Sequence, residues 1–106
     1  MSASIVYTQT AHQDLKDIYE YIAYVLLVPN TAGSFVGNII SEIRTLESFP
    51  ERNPLYKDEP WRSKGIRFMP VKNYLVFYAV DAETVSIIRI MYGGRDISHQ
   101  LDEIKE

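Results

Sequence analysis

The stretch from Gly65 to Asp96 holds three runs, 65–71, 74–80 and 84–92, each dense in Val, Ile, Phe and Tyr. Such side chains suit a pleated, half-buried surface, so each run predicts a strand. Lys72-Asn73 is a two-residue connection, and Asn tolerates the positive φ that tight hairpins require. Asp81-Ala82-Glu83 supplies the second turn, and Gly93-Gly94 stops the third strand. The simplest solution is an antiparallel meander, which the rest of the chain must cover.

The first turn fixes a register. It sets Val71 opposite Tyr74, Met69 opposite Val76 and Arg67 opposite Tyr78, and opposed residues share a face. Arg67, Met69, Val71, Tyr74, Val76 and Tyr78 therefore lie together, with Ile66, Phe68, Leu75, Phe77 and Ala79 on the other side. The second set is almost wholly apolar, which makes it the expected packing surface for helices. A two-residue turn at Ala82-Glu83 puts Arg89 on the Arg67 face, away from the core, where an unpaired charge is less costly. The Arg67 face is then expected to be open, yet too apolar to stand bare in water, so a partner is expected to cover it.

At 106 residues the chain predicts one domain with a real core. The start, Met1-Ser-Ala-Ser-Ile, has no basic, apolar leader pattern, and the longest apolar stretch, Tyr21 to Val28, is too short to span a bilayer. The absence of cysteine excludes disulfides and thiolate metal sites and fits a reducing compartment. His12 and His99 are far apart in sequence, so no metal or cofactor is expected. The net charge of −3 argues against generic nucleic-acid binding. Charge is nonetheless uneven: Arg62, Lys64, Arg67, Lys72, Arg89 and Arg95 face only Asp81 and Glu83 between Trp61 and Arg95.

Ser4 to Thr8 reads as an edge strand. Thr10-Ala-His-Gln13 has the form of a capping box, and Leu15, Ile18, Ile22 and Val25 follow at helical spacing. Pro29-Asn30 breaks that helix. A second, starting near Asn30 or Thr31, carries Phe35, Val36, Ile39, Ile40, Ile43 and Leu46 until Phe49-Pro50 ends it. Residues 51–64 form an irregular loop pinned by Tyr56 and Trp61. Asp96 caps a short terminal helix with Ile97, Leu101 and Ile104 on one side. The predicted order is β-α-α-β-β-β-α: an α+β fold, two antiparallel helices on a mainly antiparallel sheet.

The helical pair, Leu46-x-x-Phe49-Pro50, Gly65-x-Arg67, Asn73-Tyr74-x-x-x-Tyr78 and Gly93-x-Arg95-Asp96 together resemble the RelE/ParE superfamily of type II toxin–antitoxin toxins, from Tyr7 to about Leu101. The resemblance implies a cytoplasmic plasmid-stabilisation-type toxin neutralised by a cognate antitoxin. On this reading Met69, Val71, Tyr74, Val76, Tyr78 and Arg89 are the antitoxin-binding residues. It implies one of two targets. RelE-type members cleave mRNA on the ribosome, and ParE-type members poison DNA gyrase. Arg67 and Arg95 match the RelE basic site, but Met69, Leu75 and Leu101 stand where RelE has Lys, Arg and Tyr. The ending Ile90-Met-Tyr-Gly-Gly-Arg-Asp-Ile97 resembles the ParE ending, with Tyr92 in place of its usual His. Gyrase inhibition is therefore the favoured expectation.

If the chain were a metal-independent ribonuclease, Arg67 and Arg95 would stabilise the phosphorane, and His99 or Tyr92, with Lys72 or Lys64 as further candidates, would move protons. The bland readings stand beside these: Arg67 as a strand charge stacked on Tyr78, and His99 as an exposed helix residue. A third alternative is a degenerate, non-toxic antitoxin-binding domain.

Overall fold

The computed structural model describes residues 3–93. The terminal helix expected after Asp96, with Arg95 and His99, lies outside the described residues. Strand β1 (Ser4–Tyr7) leads to α1 (Gln9–Glu20), which continues through a π-helical turn at Tyr21–Val25. Helix α2 (Pro29–Arg44) follows, and then β2 (Arg67–Val71), β3 (Tyr74–Asp81) and β4 (Thr84–Tyr92). The sheet order is β1-β4-β3-β2, with β1 parallel to β4 and the other pairs antiparallel. The expected β2–β3 register holds: Arg67 faces Tyr78, Met69 faces Val76 and Val71 faces Tyr74. The Ala82-Glu83 turn is the two-residue form, since Asp81 pairs with Thr84. A bulge between Phe77 and Tyr78 then shifts the register: Arg89, expected on the Arg67 face, pairs with Phe77 of the other set, and Ile90 stands opposite Val76. Lys72 and Ala82, each first in its turn, take the positive φ, at 54° and 55°; the role expected of Asn73 falls to its neighbour.

The helices start and stop for local reasons. The N-cap of α1 is Thr8, two residues before the expected Thr10: its Oγ1 accepts from Ala11 N–H at 3.1 Å and also donates to the Ile87 and Ile88 carbonyls. One hydroxyl thus caps the helix and ties it to β4, which Thr10 is not placed to do. The π turn inserts an extra residue per turn. It shifts the apolar stripe by one, burying Ile22 and Ala23 and leaving Val25, expected on the inner face, exposed. Pro29 opens α2 at its first position, where a missing N–H costs nothing.

The helices pack on the opposite face from the one expected. Ala11, Leu15, Ile18, Ile39, Ile43 and Leu46 form one core with Met69, Val71, Val76, Tyr78, Val85, Ile87 and Ile90. Met69, Val71, Val76 and Tyr78, expected to face a partner, are buried inside the chain's own core. The other face is covered as well: Tyr56 and Trp61 lie on Ile66, Phe77 and Met91, with Phe68, Leu75, Ala79 and Ile88 around them. The polar groups that suggested an open face are satisfied at its rim. Arg67 and Tyr78 reach loop carbonyls and Arg89 reaches a helix carboxylate, while the Tyr78 ring stays in the core.

Candidate functional site

Arg67 sits at the start of β2, where the chain 50–55 crosses the sheet end. Its Nη1 donates to the Asn53 carbonyl at 2.6 Å and to the Glu51 carbonyl at 3.3 Å. Beside it, the buried Tyr78 hydroxyl donates to the Pro50 carbonyl at 2.7 Å and accepts from Asn53 Nδ2 at 3.0 Å. Burial pushes the Tyr78 phenol above its ordinary value, against the Asn53 hydrogen bond and the Arg67 and Arg52 charges. Arg52 completes the corner. Its Nη1 donates to the Thr45 and Ser48 carbonyls at 3.1 and 2.8 Å, meeting acceptors left over at the end of α2. These groups hold a loop in place.

At the other end of β3 lies an aromatic ladder. Phe35 of α2 meets Tyr74 edge-on at 5.8 Å between centroids, and Tyr74 meets Tyr92 in the same way at 5.8 Å. Tyr92 remains 59% exposed and borders a shallow cleft of about 250 Å³ with Lys72, Asn73, Tyr74 and Gly93. Gly93 N–H donates to the Asn73 carbonyl at 2.7 Å, and a Cβ on Gly93 would stand 3.2 Å from that same oxygen. Burial raises the Tyr74 phenol as well, with Tyr21 and Tyr92 adding to the shift.

The two candidate groups Arg67 and Tyr92 are not brought together. Arg67 pairs with Tyr78 and Tyr92 with Tyr74, so they stand four positions apart along β3, about 13 Å along the strand. A proton-transfer group must come within hydrogen-bond reach of the reacting atom that the cation stabilises. Arg89 is engaged elsewhere, in a bidentate pair with Asp14 of α1. Among the described residues no group of His, Asp or Glu is arranged to hold a metal ion, and no helix is long and apolar enough to cross a membrane.

The exposed apolar surface lies instead on the helices. Between α1 and α2 runs an open groove of about 410 Å³ lined by Leu15, Tyr19, Tyr24, Val36 and Ile40, with His12, Lys16 and Glu20 along it. At the hairpin tip, Tyr21, Tyr24, Val25, Leu26, Leu27 and Val28 are all exposed. The signal for this tip was in the chain: no residue from Tyr21 to Ser41 carries a charge.

The profile of the ParE toxin of type II toxin–antitoxin systems (parDE) matches residues 5–97. The chain belongs to the ParE toxin family. Solved structures carry the same fold. A chain of the chromosomal ParDE toxin–antitoxin system from Pseudomonas aeruginosa superposes with a TM-score of 0.74 at 23% identity, covering 88% of this chain and 98% of that one. A chain of the RelBE2 toxin–antitoxin complex from Mycobacterium tuberculosis gives 0.62 at 19% identity, covering 87% and 92%. A conserved protein from Helicobacter pylori solved in solution gives 0.55 at 17%, covering 85% and 93%. No curated protein matches. This ParE-family chain thus shares its two-helix, four-strand frame with both ParDE and RelBE relatives, and identity this low speaks to fold alone.

Proposed function

We propose that this ParE-family chain is the toxin of a type II pair, held inactive in the cytoplasm by a cognate antitoxin, and that it acts by inhibiting DNA gyrase. The observation that carries the choice of target is the position of Arg67. Its guanidinium is spent on the Asn53 and Glu51 carbonyls, at the opposite end of β3 from the exposed Tyr92. In-line RNA cleavage asks for cation, base and acid around one phosphate, and these two groups do not meet that geometry. A protein-binding inhibitor has no such requirement.

The antitoxin part of the reading is supported by the groove between α1 and α2. It offers Leu15, Tyr19, Val36 and Ile40 with charges of both signs at its edge, which suits the apolar stripe of an amphipathic partner helix. This replaces the buried sheet face as the expected contact.

One observation favours a second reading. Tyr92 and Lys72 flank an open cleft, an aromatic surface beside a cation, which is an arrangement that stacks an unpaired base. It belongs to a ribosome-dependent ribonuclease. Expression without antitoxin separates the two: induced cells should keep intact mRNA and accumulate gyrase-dependent DNA breaks. New mRNA 5′ ends at ribosomal A-site codons would replace the gyrase reading with the ribonuclease one. Growth without either signal would leave a non-toxic antitoxin-binding domain.

A further inference from the structure

The tip of the helical hairpin is built to project apolar side chains. After Glu20 the backbone widens into a π turn, with Leu26 N–H bonded to the Tyr21 carbonyl at 3.0 Å. Val28 N–H then bonds back to the Ile22 carbonyl at 3.1 Å, a helix-terminating loop that requires left-handed backbone at the residue between. Glycine is the usual occupant there. Here it is Leu27, with φ of 60° and 76% of its surface exposed. A leucine at such a position is disfavoured twice, by its Cβ and by its solvation. Nothing in the hairpin's own packing compensates, because the side chain points away from the core.

From these observations we propose that the hairpin tip is a self-association surface, and that its occupant is the same tip of a second copy of this chain. Two features argue for that partner. Tyr21, Tyr24, Val25, Leu26, Leu27 and Val28 expose on the order of 600 Å², which, buried on both copies, reaches the ~1,200 Å² at the lower end of specific interfaces. The patch is also free of charge, although the chain carries −3 overall. A two-fold contact sets each surface against itself, so a charged patch would meet its own sign, and this one does not. The association is independent of which target the toxin acts on.

Sedimentation equilibrium of the purified full-length chain, over roughly 1 to 100 μM, tests this in the range where a modest interface dissociates. The mass should rise from 12.3 kDa toward twice that value. Leu27→Gly removes the side chain while relieving the backbone, so it should weaken dimerisation at least tenfold while, at a dilution where both proteins are monomeric, melting at or above the wild-type temperature. Tyr24→Ser should weaken it as well. Because the chain has no cysteine, Val25→Cys introduces a single thiol that diamide should convert to an interchain disulfide, whereas Glu51→Cys, beyond the far end of α2, should not cross-link. A chain that stays monomeric throughout would overturn the proposal, even if the antitoxin or another protein covers the tip. So would a dimer indifferent to Leu27→Gly, or a Leu27→Gly variant that melts lower than wild type at a dilution where both are monomeric, since Leu27 would then pack within its own chain.

Discussion

Asp14 of α1 and Arg89 of β4 close the stretch of sheet edge that β1 is too short to cover. β1 pairs with β4 only as far as Ile87, and beyond it a bulge between Phe77 and Tyr78 shifts the β3–β4 register. There the Asp14 carboxylate accepts from the Ile90 N–H at 2.9 Å and takes Arg89 Nε and Nη2 at 2.8 and 3.1 Å. One side chain supplies the acceptor a missing strand would have supplied and neutralises a charge set against the helix. Both partners are largely covered, with side-chain exposures of 12% and 20%. Asp14→Ala should therefore cost about 2–3 kcal/mol, from an orphaned N–H and an unpaired guanidinium. Asp14→Asn, which keeps an acceptor, should cost less. In urea titrations the Asp14→Ala/Arg89→Ala double variant should lose clearly less than the sum of the two singles. Additive losses would mean that the pair contributes nothing jointly.

Tyr78 makes stability depend on alkaline pH. Burial raises its phenol above the ordinary tyrosine value, as it does for Tyr74 and for Tyr7, where Arg44 opposes the shift. The folded chain therefore holds these protons more tightly than the unfolded one. Their contribution is complete below about pH 10, the unfolded tyrosine value, and is lost as pH rises toward the folded values. Tyr78→Phe should lower stability at neutral pH by about 1–2 kcal/mol, since Asn53 loses its acceptor and the Pro50 carbonyl its donor. It should also flatten the fall in unfolding free energy above pH 10. An unchanged slope there would contradict the assignment.

Arg67→Ala removes the donor that holds the Glu51–Asn53 carbonyls against the sheet. Unfolding free energy should drop by about 1–2 kcal/mol, and limited proteolysis should cut first between Pro50 and Leu55. On the proposed reading, gyrase inhibition per folded molecule should be unaffected. Loss of toxicity with stability intact would return Arg67 to a functional role.

Phe49 precedes Pro50 in left-handed backbone, with φ of 51°, and its ring is 82% exposed. Pro50 disfavours the right-handed helical region for the residue before it, and here the chain turns to the left-handed one. Phe49→Gly should leave the melting temperature unchanged or raise it slightly, because the glycine relieves backbone cost of about 1 kcal/mol. A clear fall in melting temperature would show that the ring has a packing role in the fold.

Much of this fold was legible in local pattern. Alternation and turn length gave the β2–β3 register residue for residue and the two-residue turn after Asp81. The apolar spacing of Leu15 and Ile18, and of Ile39 and Ile43, placed both helices over a buried core. What local pattern does not encode is which of two apolar sheet faces the helices choose. Met69, Val71 and Val76 look no different from Ile66, Phe68 and Phe77 when both sets end up covered. Arg67, Tyr78 and Arg89 pointed the wrong way because their partners Asn53, Pro50 and Asp14 are distant in sequence. The π turn was equally hidden, as nothing in Tyr21–Val25 announces a change of helical period. The ladder of Phe35, Tyr74 and Tyr92 depends on a helix and two strands meeting, so it too emerged only from the tertiary structure.

Action of this ParE-family chain on gyrase, as proposed, can be read with purified components. Gyrase, supercoiled plasmid and ATP are incubated with the purified chain, and DNA products are resolved after detergent and protease treatment. Linear plasmid should increase with toxin and disappear when antitoxin is added. Gyrase that supercoils normally, alongside ribosome-dependent cleavage of a defined mRNA by the same preparation, would contradict the proposal.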